Sequence, residues 1–551
     1  MEIKMMKQLL PIIAGLILTA CTSSAVLPVE AAQPPAAPKQ FIGQQVTITP
    51  EPIRAWIDPG LPADLKESIQ PLVNTIVTDP TIANIQIGLT VEPGADLQRI
   101  YALAAPFPTI EDGIDSSELR SFWQGKGAGL AEGRPLLMAA DTLNAFTAVW
   151  GEPQKSAVRV IPTDQLLQAA WDDRPAWAIL PFEMLEPRWK VLRVDGISPL
   201  DWKMKVEQYP LRLGVKVTFS DPAAASLAQF KQELSKIPFT NRDPEKLTVL
   251  VMTGTTALVR TVGYKMEQNG MTYPARDIRD WLVDADLTHI SNEVSFEPTC
   301  PLGNPSQKNL MFCSRPEYIE LLDYIDADII EMTGNHLADW RIDSMVKTLD
   351  MYREHGMMYY GTGLNDLEAR KPLLVEDHGN RLAFIGCNPS GPPNVWAQED
   401  RVGVARCDYP WVIEQIKALR QEGYLVIVTL QYNEHYAIVS TPYQQRDFPP
   451  LAQAGAVIVQ GSQAHHPVTM DFVDGNFVHY GLGNLFFDQM DQPVKGTRRE
   501  FLDRHVFYDG KYLGVELLTA MLEDYSKPRP MTEEERKLLL EDAFRAAKWL
   551  R

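Results

Sequence analysis

The second half of the chain alternates short apolar, β-branched runs with polar loops that carry histidine, asparagine and acidic residues. The runs cover residues 328–331, 425–429 and 456–459, and the loops that follow them cover residues 333–339, 431–435 and 461–466. Runs of this length predict buried strands. Polar side chains at the carboxyl ends of such strands are where open α/β sheets bind ligands and metals. Because all nine histidines also lie between His289 and His505, we expect the chemistry in this half.

Residues 46–236 show a second alternation of strands and short helices. Residues 84–91 alternate apolar and polar positions as a strand does, and residues 164–171 predict a short amphipathic helix. Two phrases, at 105–113 and 177–182, resemble segments of bacterial solute-binding proteins. The pattern predicts a smaller α/β domain, and the resemblance implies a solute-binding-like fold for it.

A charged, proline-containing segment at 237–246 is the predicted linker to a second domain. From residue 247 the order strand, loop, helix repeats, and this domain is expected to cover residues 247–525. Thr532 and Glu535 have the spacing of a capping box, and an apolar stripe follows them. Residues 526–551 are therefore predicted to end in a helix that docks on a domain surface.

The N-terminus resembles a bacterial lipoprotein signal. Lys4 and Lys7 precede an apolar stretch at 9–18, and small residues lead up to Cys21. The stretch is too short to span a bilayer, and a buried helix is the alternative interpretation. Residues 1–21 are predicted to be a signal ending at the lipidated Cys21, followed by a tether at 22–45. This implies an extracytoplasmic protein that a lipid anchors to the bacterial cell membrane.

The overall charge argues against one class of partner. The net charge is −19, from 52 basic and 71 acidic residues, and no basic block interrupts the acidic balance. Proteins that bind nucleic acid carry concentrated positive charge that neutralises phosphates. Nucleic acid is therefore not an expected partner.

Besides Cys21, the chain has four cysteines: Cys300, Cys313, Cys387 and Cys407. An exported protein tolerates disulfides, and four cysteines permit three connectivities. The local pairing, Cys300 with Cys313 and Cys387 with Cys407, closes two short, turn-rich loops and is the one we expect. Zinc binding by these residues is less favoured because no Cys-x-x-Cys spacing occurs.

Five segments of the second domain resemble the CapA family, bacterial proteins of poly-γ-glutamate capsule synthesis. The segments occur in the family's order and cover residues 252–260, 291–293, 333–339, 430–436 and 461–488. The last ends in 480–488, Tyr-Gly-Leu-Gly-Asn-Leu-Phe-Phe-Asp, close to a characteristic motif of the family. The resemblance implies an α/β fold in which a four-layer αββα, calcineurin-like metallophosphatase domain follows the smaller domain.

The resemblance also implies a site. It gives metal-ligand positions to Glu293, Asn335 and His465, and it makes His336 and Asp339 the candidate catalytic residues. A metallophosphatase holds two divalent metals on several strand-end loops. An alternative alignment, which pairs His465 and His466 with the family's two adjacent histidines, shortens the spacing to Tyr480 and is less favoured.

The chain departs from the family pattern at several ligand positions. Thr255 replaces an aspartate, and Gln431, Ser462 and Gln463 replace histidines. Neutral oxygens are weak ligands compared with carboxylate and imidazole. We therefore expect a degenerate site that holds at most one divalent ion, Mn, Fe or Zn, and holds it weakly.

Two classes of function follow from these observations. In the first, the protein binds poly-γ-glutamate or another capsule polymer, or the synthesis machinery, and acts as a scaffold at the cell surface. In the second, it is a metal-dependent hydrolase or transferase acting on a phosphoester or γ-glutamyl bond. Loss of ligands favours the first class, whereas the retained Asn335, His336 and His465 favour the second.

Overall fold

The N-terminal region is built on one ten-stranded sheet. The computed structural model describes residues 52–126, 130–220 and 225–550, so the predicted signal, Cys21 and the tether at 22–45 lie outside the described residues. The strands are β1 (Arg54–Ile57), β2 (Thr75–Ile76), β3 (Ile85–Thr90), β4 (Leu97–Pro106), β5 (Gly113–Ile114), β6 (Leu136–Met138), β7 (Val158–Val160), β8 (Ala178–Pro181), β9 (Trp189–Val194) and β10 (Arg212–Phe219). The helices are α1 (Ala63–Ile69), α2 (Ser116–Trp123), α3 (Ala140–Trp150), α4 (Leu166–Asp172) and α5 (Ala225–Leu234).

Two parallel groups of strands flank the centre of this sheet. The main path runs β2-β1-β3-β10-β4-β8-β6-β7, and β1 and β3 are parallel on one side while β6, β7 and β8 are parallel on the other. The antiparallel strands β10 and β4 lie between the groups. The predicted strand at 84–91 corresponds to β3, and the predicted helix at 164–171 overlaps α4.

The C-terminal region contains two larger sheets and a two-stranded one. The strands are β11 (Leu247–Thr256), β12 (Leu287–Asn292), β13 (Ile329–Glu331), β14 (Met358–Tyr360), β15 (Thr362–Gly363), β16 (Leu373–Asp377), β17 (Asn380–Cys387), β18 (Gly403–Val404), β19 (Leu425–His435), β20 (Ala456–Ala464), β21 (Met470–Val473), β22 (Asn476–His479), β23 (Arg499–Tyr508), β24 (Lys511–Glu523) and β25 (Lys527–Pro530). The helices are α6 (Arg260–Asn269), α7 (Arg279–Val283), α8 (Ile319–Tyr324), α9 (Ile342–Glu354), α10 (Asp366–Ala369), α11 (Tyr409–Gln421), α12 (Pro442–Asp447), α13 (Pro449–Gln453) and α14 (Glu533–Ala546).

These sheets form the two inner layers of a four-layer αββα arrangement. One sheet has the order β14-β13-β12-β11-β23-β24-β25, and the other has the order β16-β17-β19-β20-β22-β21. Alternate residues of a strand point to opposite faces. Leu250 therefore packs between the sheets with Phe384, whereas Val251 packs outward against α6 and α9. Helices α11 and α13 cover the outer face of the second sheet. The predicted fold class is confirmed.

The two regions share a core. Leu247 and Val249 of β11 cluster with Leu103 of the N-terminal sheet. The segment predicted as a linker is packed rather than loose, because Arg242 is buried and its Nε donates to the Pro199 carbonyl oxygen at 2.6 Å. Within the described ranges, no helix has the length and apolar character needed to cross a membrane.

Helix α14 packs against both regions. It begins with the capping box predicted for Thr532 and Glu535. Its Phe544 ring lies 6.1 Å from the ring of Phe107. Arg536 binds Asp112 through both carboxylate oxygens, at 2.8 and 2.9 Å. The C-terminal helix therefore helps to hold the N-terminal sheet against the C-terminal sheets.

Candidate functional site

The predicted site residues gather where β11, β12, β13, β19 and β20 end. Glu293 directly follows β12, and the loop containing Asn335 and His336 follows β13. At Gly334 a side chain would meet Glu293, because an added Cβ would lie 2.5 Å from the Glu293 Cα. This glycine lets the loop lie directly on Glu293, which is the carboxyl-edge position expected for a ligand site.

Two of the predicted polar loops are extensions of strands. Strand β19 continues through residues 431–435, and β20 continues through residues 461–464. Pairing brings Gln431 opposite Ser462 in parallel register. The polar residues extend the strands because the neighbouring strand satisfies their backbone groups. The paired strands hold their side chains at the site edge.

The Gln431 amide is the centre of the site. Its Nε2 donates to Asn335 Oδ1 at 2.9 Å and to Gln463 Oε1, and it lies 3.4 Å from Glu293 Oε1. Its Oε1 accepts from Ser462 Oγ at 2.7 Å, which fixes the orientation of the amide. Oxygens from three separate elements therefore converge on an N–H₂ group, where a metal site would hold a cation.

Backbone strain and a buried acid support this network. Gln463 has a φ of 71°, in the left-handed region that non-glycine residues rarely adopt, and such strain is common at functional sites. Below the network, Glu331 Oε1 accepts from Thr333 Oγ1 at 2.6 Å and lies 3.4 Å from Ser462 Oγ. Burial raises the pKa of Glu331 despite these hydrogen bonds.

The residues present do not fit a dinuclear metal centre. Of the positions matched to ligands, only Glu293 carries a carboxylate, and its Oε2 is buried without a partner among the described residues. The Thr255 hydroxyl, where the family has an aspartate, is also buried and unpartnered. Two divalent ions need more negative charge than one carboxylate supplies. Glu293 Oε2 and Thr255 Oγ1 are therefore the two oxygens that a single ion could still bind.

His336 and Asp339 form a pair on the rim of the site. His336 Nδ1 donates to Asp339 Oδ2 at 2.6 Å, and that oxygen also accepts from the Phe312 backbone N–H at 3.0 Å. Burial disfavours the protonated ring, but the hydrogen bond to Asp339 and the charge of Glu293 outweigh it and raise the pKa of His336. Because Nδ1 is used, Nε2 is the ring atom left to meet a ligand.

His465 lies near the site but does not contact the Gln431 network. Its Nδ1 contacts Asn484 Oδ1 at 2.8 Å, and its ring stacks on Phe487 at 4.9 Å. His466, the residue favoured by the alternative alignment, instead contacts the Pro467 carbonyl oxygen and lies 3.4 Å from Arg499 Nη2. Gln463, rather than either histidine, reaches Gln431.

An arginine and two aromatic rings connect the two histidines. The Arg260 guanidinium lies over Phe312 at 5.1 Å and over Phe487 at 5.0 Å. Phe312 in turn contacts His336 at 4.7 Å. Arg260 binds Asp488, while its Nε is buried without a partner in the described parts of the chain. We call the side chains of His336, Phe312, Arg260, Phe487 and His465 the cationic wall.

The structure contains the disulfides Cys300–Cys313 and Cys387–Cys407. This is the local pairing expected from the sequence. The first bond has a consequence for the site, because Cys313 directly follows Phe312 of the cationic wall. The closed loop therefore holds that ring beside His336.

A separate group of possible metal ligands lies at the opposite edge of the sheets. Asp286 precedes β12, and Asp377 and His378 lie at the turn between β16 and β17. Across the residues that the structure describes, this is the one group of three histidine, cysteine or acidic side chains close enough to share an ion. It is at the amino end of β12, away from the Gln431 network.

The sequence pattern predicts the edge but not every residue that meets there. The run at 328–331 predicts a strand, and the carboxylate of Glu331 at its end is a further signal of a group facing the site. Arg260 lay within a segment matched to the family, but nothing in the pattern indicated that it would join two aromatic rings. The family pattern marks Gln431 and Gln463 only as lost ligands, whereas in the structure they form the hydrogen-bonded centre of the site.

Comparisons with known proteins agree with this architecture. Residues 249–489 match the profile of the family described as bacterial capsule synthesis protein PGA_cap. The chain is 23% identical over 261 residues to the capsule biosynthesis protein CapA of Bacillus anthracis, a match that covers 46% of this chain. The chain spans only 62% of that relative's length.

Solved structures show more distant likenesses. The chain is similar to a 5'-nucleotidase precursor from Thermus thermophilus, with 12% identity, a TM-score of 0.31, and coverage of 55% of this chain and 59% of that chain. It is also similar to an ABC-type phosphate transport receptor from Vibrio cholerae, with 10% identity, a TM-score of 0.28, and coverage of 33% and 93%. Likenesses at this level carry no information about function.

The family assignment therefore rests on the C-terminal region. The match covers β11 through the Gly-Asn segment that holds His465, which is the region that contains the Gln431 network and the cationic wall. Residues 249–489 thus match the family described as bacterial capsule synthesis protein PGA_cap, in agreement with the resemblance to CapA proteins found in the sequence.

Proposed function

We propose that this protein is a lipid-anchored, extracytoplasmic CapA-family protein that binds a capsule polymer, or holds its synthesis machinery, rather than acting as a metal-dependent hydrolase. The observation that carries the proposal is the Gln431 amide, which donates to the oxygens that would surround a cation. An amide in this place satisfies the oxygens of Asn335 and Gln463 without a metal. The site then offers hydrogen-bonding and cationic groups instead of a Lewis acid.

The cationic wall gives the proposed polymer a docking surface. Poly-γ-glutamate carries one free carboxylate per residue, and carboxylates bind best to guanidinium and protonated imidazole groups. His336 is held by Asp339 with Nε2 left for a ligand, and Arg260, although it pairs with Asp488, keeps 18% of its side chain exposed. These groups stand out in a chain whose net charge is −19. We propose that they select polymer carboxylates against the general repulsion.

Metal content tests the first half of this proposal. Elemental analysis of protein purified without chelator should give less than about one equivalent of Mn, Fe or Zn, because a site with few strong ligands loses its ion readily. The Asp286→Asn, Asp377→Asn variant is the matched control, since it removes any ion held at the opposite edge. Two equivalents that persist in this control would overturn the proposal.

Polymer binding tests the second half. Poly-γ-glutamate should bind the full mature chain, and Arg260→Gln should weaken binding by about tenfold, the effect of losing one charged hydrogen bond. Arg279→Gln removes an arginine outside the site and should leave binding unchanged. Equal affinity of both variants for the polymer would contradict the role of the cationic wall.

The alternative function is a metal-dependent hydrolase or transferase for a phosphoester or γ-glutamyl bond. It is favoured by the His336–Asp339 pair and by the free Oε2 of Glu293, which together could serve one weakly held ion. Phosphodiesterase and γ-glutamyl hydrolase assays with added Mn²⁺ distinguish the two functions. Activity that His336→Ala abolishes would establish the alternative, and background activity supports a binding role.

The proposed anchor has its own test. A chain lipidated at Cys21 fractionates with membranes, because two or more acyl chains give stable attachment. Cys21→Ser should release the protein or leave it unprocessed. A Cys21→Ser protein that is both cleaved and membrane-bound would exclude the anchor.

A further inference from the structure

A second cavity lies in the N-terminal region, far from the CapA-like site in the sequence. It has a volume of about 270 Å³ and is lined by residues that follow the carboxyl ends of β1, β6, β7 and β8. These strands belong to the two parallel groups on either side of β10 and β4. Ligands of open α/β sheets bind at such a position, where the direction of the chain connections changes.

Most of the ionisable side chains that line this cavity are acidic. Asp64, Glu67, Asp141 and Glu183 line it together with a single arginine, Arg99. They lie on three different parts of the chain: α1, the first turn of α3, and the segment after β8. The balance of these side chains is four negative charges to one positive charge. Inorganic phosphate and other anions would therefore be repelled.

The single arginine is already engaged. Arg99 Nε pairs with Asp64 Oδ2 at 2.6 Å, and the Arg99 side chain is only 6% exposed. Glu183 Oε2 accepts from Asn241 Nδ2 at 2.5 Å. Asp141 and Glu67, by contrast, form no hydrogen bond or ion pair with other described residues. Two carboxylates thus face the cavity without a protein partner.

Tyr101 provides an independent sign of a ligand. Tyr101 lines the cavity and is only 2% exposed. The centroid of its ring lies 5.1 Å from that of Phe146. The hydroxyl has no hydrogen-bond partner among the described residues. Burial, together with the charges of Asp141, Asp64 and Glu183, raises the pKa of this hydroxyl. A phenol hydroxyl can both donate and accept a hydrogen bond, so this hydroxyl in the cavity wall is available to a ligand.

We propose that this cavity binds a small organic amine, through carboxylates Asp141 and Glu183 and the Tyr101 hydroxyl. An ammonium group supplies the positive charge and the N–H donors that the lining lacks. A single metal ion suits the cavity less well. Its carboxylates do not form a group close enough to share an ion, whereas Asp286, Asp377 and His378 do so elsewhere in the described chain. Carboxylates spread over separate elements instead match a molecule with its amino groups apart.

Isothermal titration calorimetry with the full mature chain tests this proposal. The probes are spermidine, L-lysine and glucosamine as amines, inorganic phosphate as the anion, and Ca²⁺ as the metal. At least one amine should bind at one equivalent, and phosphate and Ca²⁺ should not bind at the cavity. The variant Asp141→Asn, Glu183→Gln should weaken amine binding by about 10-fold to 100-fold, because two charged hydrogen bonds become neutral.

Two further variants separate binding from folding. Tyr101→Phe keeps the ring against Phe146 and removes only the hydroxyl, so it should weaken binding by a few-fold with unchanged thermal unfolding. Glu207→Gln, which removes one exposed charge outside the cavity, should leave binding unchanged. The proposal is overturned if no amine binds up to about 10 mM, if the cavity variants bind as the parent does, or if phosphate or Ca²⁺ binds and the Asp141→Asn, Glu183→Gln variant removes that binding.

Discussion

The Gln431 network and the N-terminal cavity occupy equivalent places in their sheets but treat their polar groups in opposite ways. Both lie at the carboxyl ends of parallel strands. In the network, the Gln431 amide donates to Asn335 and Gln463 and lies 3.4 Å from Glu293. In the cavity, four carboxylates face one engaged arginine, and a phenol is left free. Position in the sheet thus determines where a ligand site forms, and the balance of donors and acceptors determines what it accepts.

The largest expected effect comes from converting the network back to a metal site. The variant Thr255→Asp, Gln431→His, Gln463→His replaces neutral groups with one carboxylate and two imidazoles around Glu293. Metal content should rise from below about one equivalent to about two, because charge and ligand number then suit a dinuclear centre. Elemental analysis measures this rise. Asn433→His, an exposed change on the same strand, should add no metal.

The next effect is on stability. Gln431→Ala removes the shared donor and leaves Asn335, Gln463 and Ser462 without their partner, so we expect a loss of about 3 kcal/mol in the free energy of unfolding. Urea denaturation followed by circular dichroism measures it. Asn433→Ala, on an exposed position of β19, should cost less than about 0.5 kcal/mol. Similar losses in the two variants would show that the Gln431 network does not stabilise the fold.

A smaller, pH-dependent effect is expected at the His336–Asp339 pair. The folded pKa of His336 is raised above its unfolded value, so the stabilisation is complete below the unfolded pKa, near 6.5, and is lost as the pH rises through the folded pKa. Asp339→Asn should lower the pKa of His336 and cost about 1.5 kcal/mol at pH 6. An NMR titration of the His336 ring protons checks the direction. An unchanged pKa in the variant would contradict the pairing.

The smallest effect is expected in the cavity. Asp141→Asn relieves repulsion among neighbouring carboxylates without removing a hydrogen bond, so the free energy of unfolding should change by less than about 0.5 kcal/mol or rise slightly. Thermal unfolding in low salt measures it. A loss comparable to that of Gln431→Ala would mean that Asp141 supports the fold rather than facing a ligand, and the contrast between the two regions would fail.

Some features of this protein could be read from the sequence because they depend on local patterns. Alternating apolar positions located β3, and the spacing of Thr532 and Glu535 located the start of α14. The order and spacing of five short segments gave the resemblance to the CapA family, and residues 249–489 match the family described as bacterial capsule synthesis protein PGA_cap. The local cysteine pairing followed from short loops, since nearby cysteines lose little chain entropy on joining.

The positions where β19 and β20 end could not be predicted from local sequence patterns. Residues 431–435 and 461–464 have the polar composition of loops, and they form strand only because each segment pairs with the other. That pairing joins residues about 30 positions apart, so a local pattern does not contain it. The role of Gln431 as a donor, rather than only a lost ligand, depends on this same pairing.

The sequence by itself determined the layers, the family and the edge at which polar residues collect. Only the tertiary structure decided which polar groups satisfy each other and which remain free. Gln431 meets Asn335 across 96 positions, and Glu183 meets Asn241 across 58. A hydrogen bond requires its two atoms within about 3 Å and in the correct orientation, and such distances between remote residues are fixed only when the sheets pack together.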